Sequence, residues 1–442
     1  MPAPDTAGAP RRHAIRGHLF WFTDDPAVAG TGAVREITDG ALIIDGPCIA
    51  AVGEAGDLIE PGLPVTDHGD ALILPGLIDT HIHYAQAQVI GSYGAQLLDW
   101  LNRYTFPAER RFADPAHCAA EAAIFLAELV RHGTTTAVVY PTVHAGSVDA
   151  LFAAASACDM RLLSGKIMMD EGPEGLRDTP ESGYRDSKAL IARWHGKGRL
   201  GYVVTPRFAV TSSEGQLAAA GALLAEHPEC WLQTHLSENH AEIATVAARF
   251  PDALDYLDVY DRAGLVGARS LFGHCIHLNE RERRRMSEAG AVACFCPTSN
   301  LFIGSGLFDL ETMRASAAPV RVALATDVGG GTSYSMLRTA AEAYKVLQLQ
   351  GQSWPAFEAF YTMTLGNARA LGLEAEIGTL EPGSHADLAV LRPEAIPALA
   401  HRLAVIERCA LEERLFALMT MGDERTVAAT YVAGHEVKGP SV

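Results

Sequence analysis

Long apolar runs are missing from this chain. Even residues 41–52, the best candidate, are interrupted by Asp45 and Pro47, and a bilayer span needs about 20 apolar residues in succession. The first dozen residues are rich in alanine and proline and lack the apolar core of a secretory leader. Cysteine is scarce: 8 among 442 residues, scattered and mostly in apolar surroundings. That excludes a disulfide framework and fits a reducing cytoplasm. Basic residues are also short, with 35 Lys and Arg against 53 Asp and Glu and a formal net charge of −18. This is the wrong sign for a nucleic acid or an anionic membrane as partner.

What is present is an ordinary globular balance, 48% hydrophobic and 20% charged. The length accommodates a barrel of about 250 to 300 residues and a smaller unit. Short β patterns cluster at both ends. One set covers 19–23 and 41–52, turning at Asp45-Gly46, and the other covers 386–391 and 427–432, followed by a Gly434-His435 turn. Residues 1–70 and 376–442 are therefore expected to build one small β-sandwich. Between them, over 71–375, strands expected at 72–83, 135–140, 162–169, 201–205, 230–236, 270–274, 291–296 and 322–327 alternate with helices that include 116–131, 215–225 and 280–289. That alternation predicts an α/β fold, a (β/α)₈ TIM-like barrel, whose chemistry sits at the carboxyl ends of the strands.

Those strand ends carry a consistent chemistry. The first expected strand runs into His81 and His83, and side chains at i and i+2 of a strand share a face. The fifth ends Thr234-His235-Leu236-Ser237-Glu238, the sixth Gly273-His274 and the eighth Thr326-Asp327. His81, His83, His235 and Asp327 are assigned as ligands of one metal ion, leaving a position for water. Zinc suits these donors, while iron and manganese stay open. Asp327 would also take the water's proton. His274 would polarise the nucleophile, and Glu238 would shuttle protons to the leaving group. A lysine that could bridge a second metal is missing from the end of strand four, Thr205-Pro206-Arg207-Phe208, and Lys166 lies inside strand three. One ion per subunit follows.

The run from Pro75 to His83 resembles the first-strand signature of the amidohydrolase superfamily. The longer strings at 93–102 (YGAQLLDWLN), 105–111 (TFPAERR), 207–209 (RFA), 295–301 (FCPTSNL) and 343–350 (AYKVLQLQ) are similar to those of its guanine deaminase family. The resemblance spans about residues 15–435. It implies zinc, a barrel with an accessory β-sandwich, a cytoplasmic homodimer, and hydrolysis of guanine to xanthine and ammonia in purine catabolism. By the same resemblance, Gln86, Arg207 and Phe208 match substrate contacts, as does Glu238, which is also the proton shuttle. Ala85 departs from the family, which more often has proline there. The nearest alternative is another amidohydrolase deaminase acting on a pterin, triazine or modified purine. A barrel that has lost its chemistry is disfavoured by the complete ligand set.

Other signals lead elsewhere. His240-Ala241-Glu242 is half of a second zinc-deaminase signature, but the Pro-Cys-x-x-Cys half does not follow. Cys294 and Cys296 read as buried small residues, Gly329-Gly330-Gly331 as a flexible turn, and Arg281 to Arg285 as a solvated helix face. Pro440, two residues before Val442, makes a peptide-recognition tail a poor candidate.

Overall fold

The computed structural model describes residues 12–94, 96–315, 317–406 and 410–437. The readings of the first residues as leaderless and of the tail around Pro440 lie outside the described residues, apart from Arg12 itself.

Sixteen strands are described: β1 (Arg12–Phe22), β2 (Val34–Asp45), β3 (Cys48–Glu54), β4 (Val65–Pro75), β5 (Leu77–His83), β6 (Thr134–Tyr140), β7 (Arg161–Ser164), β8 (Ile167–Met168), β9 (Leu200–Pro206), β10 (Trp231–Leu236), β11 (Ser270–His274), β12 (Val292–Phe295), β13 (Arg321–Leu324), β14 (Leu388–Leu391), β15 (Val427–Val432) and β16 (His435–Glu436). The parallel order β5-β6-β7-β9-β10-β11-β12-β13 makes the expected eight-stranded barrel, with β8 paired beside β9. Every residue of β5, β6, β9, β10 and β11 is buried, as a parallel sheet jacketed by helices requires. Helix starts follow from the sequence. Asp114 caps the helix Pro115–Arg131, whose first residue is proline, and Asn279 with Glu282 forms a capping box at Glu280–Ala289.

The seam between β13 and β5 is closed largely by side chains. Asn367 Nδ2 donates to Ile78 O at 2.7 Å and Leu324 O at 2.9 Å, while its Oδ1 accepts from Leu324 N at 3.0 Å. Thr80 Oγ1 donates to Leu324 O at 3.1 Å. Beyond the strands, Asp327 N donates to His81 O at 2.9 Å and His83 N to Val328 O at 2.7 Å. The last contacts join the two strand ends that carry the site.

Several expectations need correction. The run 72–83 is two strands: β4 ends at Pro75 in the small sheet, and β5 opens the barrel at Leu77. Gly76 makes the crossing, its N–H bound to Asp387 O at 2.7 Å, and a Cβ there would collide with the Thr135 side chain. The run 162–169 likewise breaks at Gly165-Lys166. Lys166 is buried and paired with Asp178, away from the metal-type residues. The terminal segments form one seven-stranded sheet, β16-β15-β14-β4-β1-β2-β3. Residues 376–442 are not β-rich throughout, since helices Pro397–Leu403 and Leu411–Met421 intervene. The second packs on the helix Met336–Gln348 through Tyr344 and Phe416, ring centroids 5.0 Å apart. Arg281 and Arg285 do not simply face solvent; they bind Asp255 and Asp261, tying their helix to Tyr256–Arg262.

Asn367→Ala would strand two backbone groups at the seam, Ile78 O and Leu324 N, since Leu324 O keeps the Thr80 hydroxyl. Each buried polar group left unpaired costs about 1–3 kcal/mol, so urea unfolding should show a loss of about 2 kcal/mol or more. A loss under about 0.5 kcal/mol, the range of a neutral surface change, would show that the seam does not depend on this side chain.

Candidate active site

Four donor atoms meet at the carboxyl end of the barrel. His83 Nε2 lies 3.3 Å from His81 Nε2 and 3.3 Å from His235 Nε2. Asp327 Oδ1 is 3.3 Å from both His81 Nε2 and His83 Nε2. Metal–ligand bonds of about 2.0–2.1 Å in a tetrahedron put neighbouring ligands about 3.3 Å apart. The spacing is thus that of a cage for one small divalent ion. Burial pushes the His83 imidazole down to about 3, and it drives His235 well below its usual value with help from the neighbouring imidazoles. Both rings are neutral, the form whose nitrogen lone pair can bind a metal. His235 Nδ1 lies 2.7 Å from Arg207 O, an outer contact that turns Nε2 inward. The Tyr140 ring packs on His83, His81 and His235, at centroid distances of 4.5, 4.7 and 4.9 Å.

Beside this cage sit two acids in opposite states. Burial alone would raise Asp327, but the imidazoles of His81, His83 and His274 hold it well below the usual carboxylate range. Glu238 is pushed up to about 8 by burial and by the charge of Asp327, with the Ser305 hydroxyl partly opposing. It therefore carries a proton at neutral pH. Ser305 Oγ lies 2.8 Å from Glu238 Oε1, and His274 Nε2 lies 3.3 Å from Glu238 Oε2 and 3.8 Å from Asp327 Oδ2. Asn300 Oδ1, 2.9 Å from His274 Nδ1, can accept only from an N–H. It selects the tautomer that carries its proton on Nδ1 and turns the lone pair of Nε2 toward the two acids. Ser237, His274, Cys275 and Asp327 all hold φ between 50° and 70°, a left-handed geometry that costs non-glycine residues about 1–3 kcal/mol each. The strain sits where the strand ends must turn their side chains inward.

A narrow pocket opens over these groups, lined by His83, Gln86, Leu97, Trp100, Leu101, Arg207, Phe208, His235, Glu238, His274, Ile303, Asp327 and Gly330. Every candidate residue named from the sequence lines it except His81, which reaches the cage from behind. Phe208 offers a buried ring 6.0 Å from that of His235. Arg207 is buried, its Nη1 bound by both oxygens of Glu109 at 2.9 and 2.7 Å. The glycines 329–331 are not there for flexibility. A Cβ on Gly329 would meet Gln86 O at 2.6 Å, and one on Gly330 would collide with Ser299, so the turn is glycine because it is packed. Cys294 and Cys296 are buried thiols whose acidity burial suppresses, Cys294 being pushed up to about 12.

With this geometry stand the comparisons with known proteins. Residues 72–437 match the model of the amidohydrolase family. The chain belongs to that family. This amidohydrolase is 48% identical over 431 residues to the guanine deaminase of Escherichia coli strain K12, covering 96% of this chain and 97% of that protein. The solved E. coli guanine deaminase matches it with a TM-score of 0.94 at 47% identity, over 97% of this chain and 100% of that one. A guanine deaminase from C. acetobutylicum, solved with guanine bound in its active site, matches with a TM-score of 0.87 at 26% identity, over 96% of this chain and all 100% of that one. Among the described residues of this amidohydrolase, no helix is long and apolar enough to cross a membrane.

Sequence reasoning missed Glu109, Tyr140, Asn300, Ser305 and Glu242. Tyr140 ends an expected barrel strand, so the strand-end rule could have found it. Glu109 and Asn300 lie inside strings quoted for the family resemblance. Glu242, set aside with His240, accepts from Glu238 N at 2.9 Å and Asn239 N at 3.1 Å, so it holds the Glu238 loop as the partner of Asn239 in the capping box of the next helix.

The cage makes a direct prediction. The protein purified in metal-containing medium should hold one divalent ion per chain by plasma mass spectrometry, and His235→Ala should lose most of it while keeping its far-UV circular dichroism. Full retention by His235→Ala would remove that residue from the cage.

Proposed function

We propose that this amidohydrolase is a zinc enzyme, with one ion per subunit of a cytoplasmic homodimer, that hydrolyses guanine to xanthine and ammonia. One observation carries the reading: a four-donor cage and a buried, protonated Glu238 face each other across a cavity rimmed by Arg207, Gln86 and Phe208. The relatives named above support the choice of substrate. The described cysteines are free thiols, in keeping with a reducing compartment.

His81, His83, His235 and Asp327 would hold the ion, which when bound supplies hydrolytic power by lowering the pKa of a water to about 7. The rest is done by the chain. Phe208 stacks on the flat ring, worth about 0.5–1.5 kcal/mol beyond burial for an aromatic pair, while Arg207 and Gln86 bond its rim. As water adds to the carbon bearing the amino group, Asp327 takes the water's proton and Glu238 gives its own to the adjacent ring nitrogen. His274 Nε2, set between the two acids, accepts from the hydroxyl on the carbon that becomes tetrahedral. The proton taken by Asp327 is passed on to the amino nitrogen by way of Glu238. The carbon–nitrogen bond then breaks, ammonia leaves, the proton still on the added oxygen goes to the vacated Glu238 carboxylate, and the ring carbon keeps that oxygen as a carbonyl.

Incubation with guanine should yield xanthine and an equal amount of ammonia. Inert guanine alongside turnover of a pterin or triazine would contradict the proposal. Glu238→Gln should lower kcat by about 10²–10⁴-fold, the usual worth of a general acid–base group, with bound metal unchanged. Undiminished turnover would take Glu238 out of the reaction.

A further inference from the structure

Glu109 is 1% exposed and lies on the short helix Phe106–Arg110, outside the strand ends. Its carboxylate binds Arg207 Nη1 through both oxygens, at 2.9 and 2.7 Å, and accepts from Gln86 Nε2 at 3.1 Å. Two rim residues of the cavity thus hang on one acid that does not itself line it. We infer that Glu109 is a positioning residue that sets the order of donors and acceptors presented to the substrate, so that the pocket selects a lactam edge, a ring carbonyl beside an N–H. The inference rests on the guanine reading above and deepens it.

The argument is one of hydrogen-bond polarity. A carboxylate beside a guanidinium can only accept. Gln86 must therefore turn its amino end to Glu109, even though that nitrogen also lies 3.1 Å from His83 Nδ1, and this leaves its carbonyl oxygen as the acceptor offered elsewhere. Arg207 can only donate, and Glu109 occupies a single one of its nitrogens. The remaining donors of the fork are free for a ligand, with the guanidinium steadied 5.2 Å above the Phe106 ring. The rim thus offers donors from Arg207 and an acceptor from Gln86. A 6-oxopurine presents the complement, a carbonyl oxygen next to a ring N–H. A 6-aminopurine presents the reverse at both positions, an amino donor against Arg207 and a bare ring nitrogen against the Gln86 carbonyl. Such mismatches in a dry pocket are the ones that discriminate by orders of magnitude. Without Glu109 the Gln86 amide would answer to His83 Nδ1, 3.1 Å from its nitrogen, which carries the ring proton when Nε2 serves the cage and so calls for the amide oxygen, and the buried Arg207 charge loses its counter-ion.

The test compares guanine with 2,6-diaminopurine, which keeps the amino group to be removed and inverts the neighbouring edge. Glu109→Gln, nearly the same shape, should raise KM for guanine about tenfold or more with kcat changed much less. It should also cut the preference for guanine over 2,6-diaminopurine in kcat/KM at least about tenfold, with metal content unchanged. A purely structural role would lower both substrates alike and leave the preference intact, and that result overturns the inference. Should Glu109→Gln fail to fold, Gln86→Met deletes the acceptor that Glu109 aims and must give the same loss of preference; an unaltered ratio overturns the inference equally. A parent enzyme inert toward guanine would instead sink the reaction, and this inference with it.

Discussion

Holding three imidazoles and a carboxylate about 3.3 Å apart inside a dry barrel is the constraint to which the rest of the structure answers. Left to themselves, such polar groups would sooner be solvated, and burial without partners costs several kcal/mol. The fold holds them by geometry. His81 and His83 share one face of β5, His235 stands on β10, and Asp327 follows β13. The seam that closes the barrel therefore also sets the distance between the first ligand pair and the last. Asp79 helps from below, buried and bound by Thr326 N at 3.1 Å and by the Thr326 hydroxyl. The left-handed backbone at His274 and Asp327 shows that some local strain is accepted to aim these side chains.

The same enclosed environment sorts the two acids. Burial raises any carboxyl group, yet Asp327 faces several imidazoles and stays ionised, while Glu238 faces Asp327 and stays protonated. Pushing a pair of titratable groups apart in this way lets one site take a proton and give one at the same pH. The supporting contacts are specific. Asn300 sets the tautomer of His274, Ser305 holds one oxygen of Glu238, and Glu242 anchors the backbone at 238 and 239.

How much of this could be seen in the sequence depends on how local the cause is. The histidine pair at 81 and 83 was legible because strand periodicity is local. His235, His274 and Asp327 were legible because each ends an apolar run and barrels gather such ends together. The break at Gly76 was not legible. A continuous apolar run hides the passage from one sheet to another, and what makes glycine necessary at the crossing is the Thr135 side chain, 59 positions away in the chain. The helices at 397–403 and 411–421 were missed because the strands flanking them dominated the pattern. Glu109 had no local mark at all. A glutamate in a polar stretch looks solvated until Arg207, almost a hundred residues later, is folded against it.

The most direct measurement of the central claim is X-ray absorption at the zinc edge of the metal-loaded protein. The account predicts a first shell of nitrogen and oxygen at about 2.0–2.2 Å with the multiple-scattering signature of three imidazoles. A sulfur shell at about 2.3 Å, or fewer than two imidazoles, would mean that the ion sits elsewhere and would contradict it.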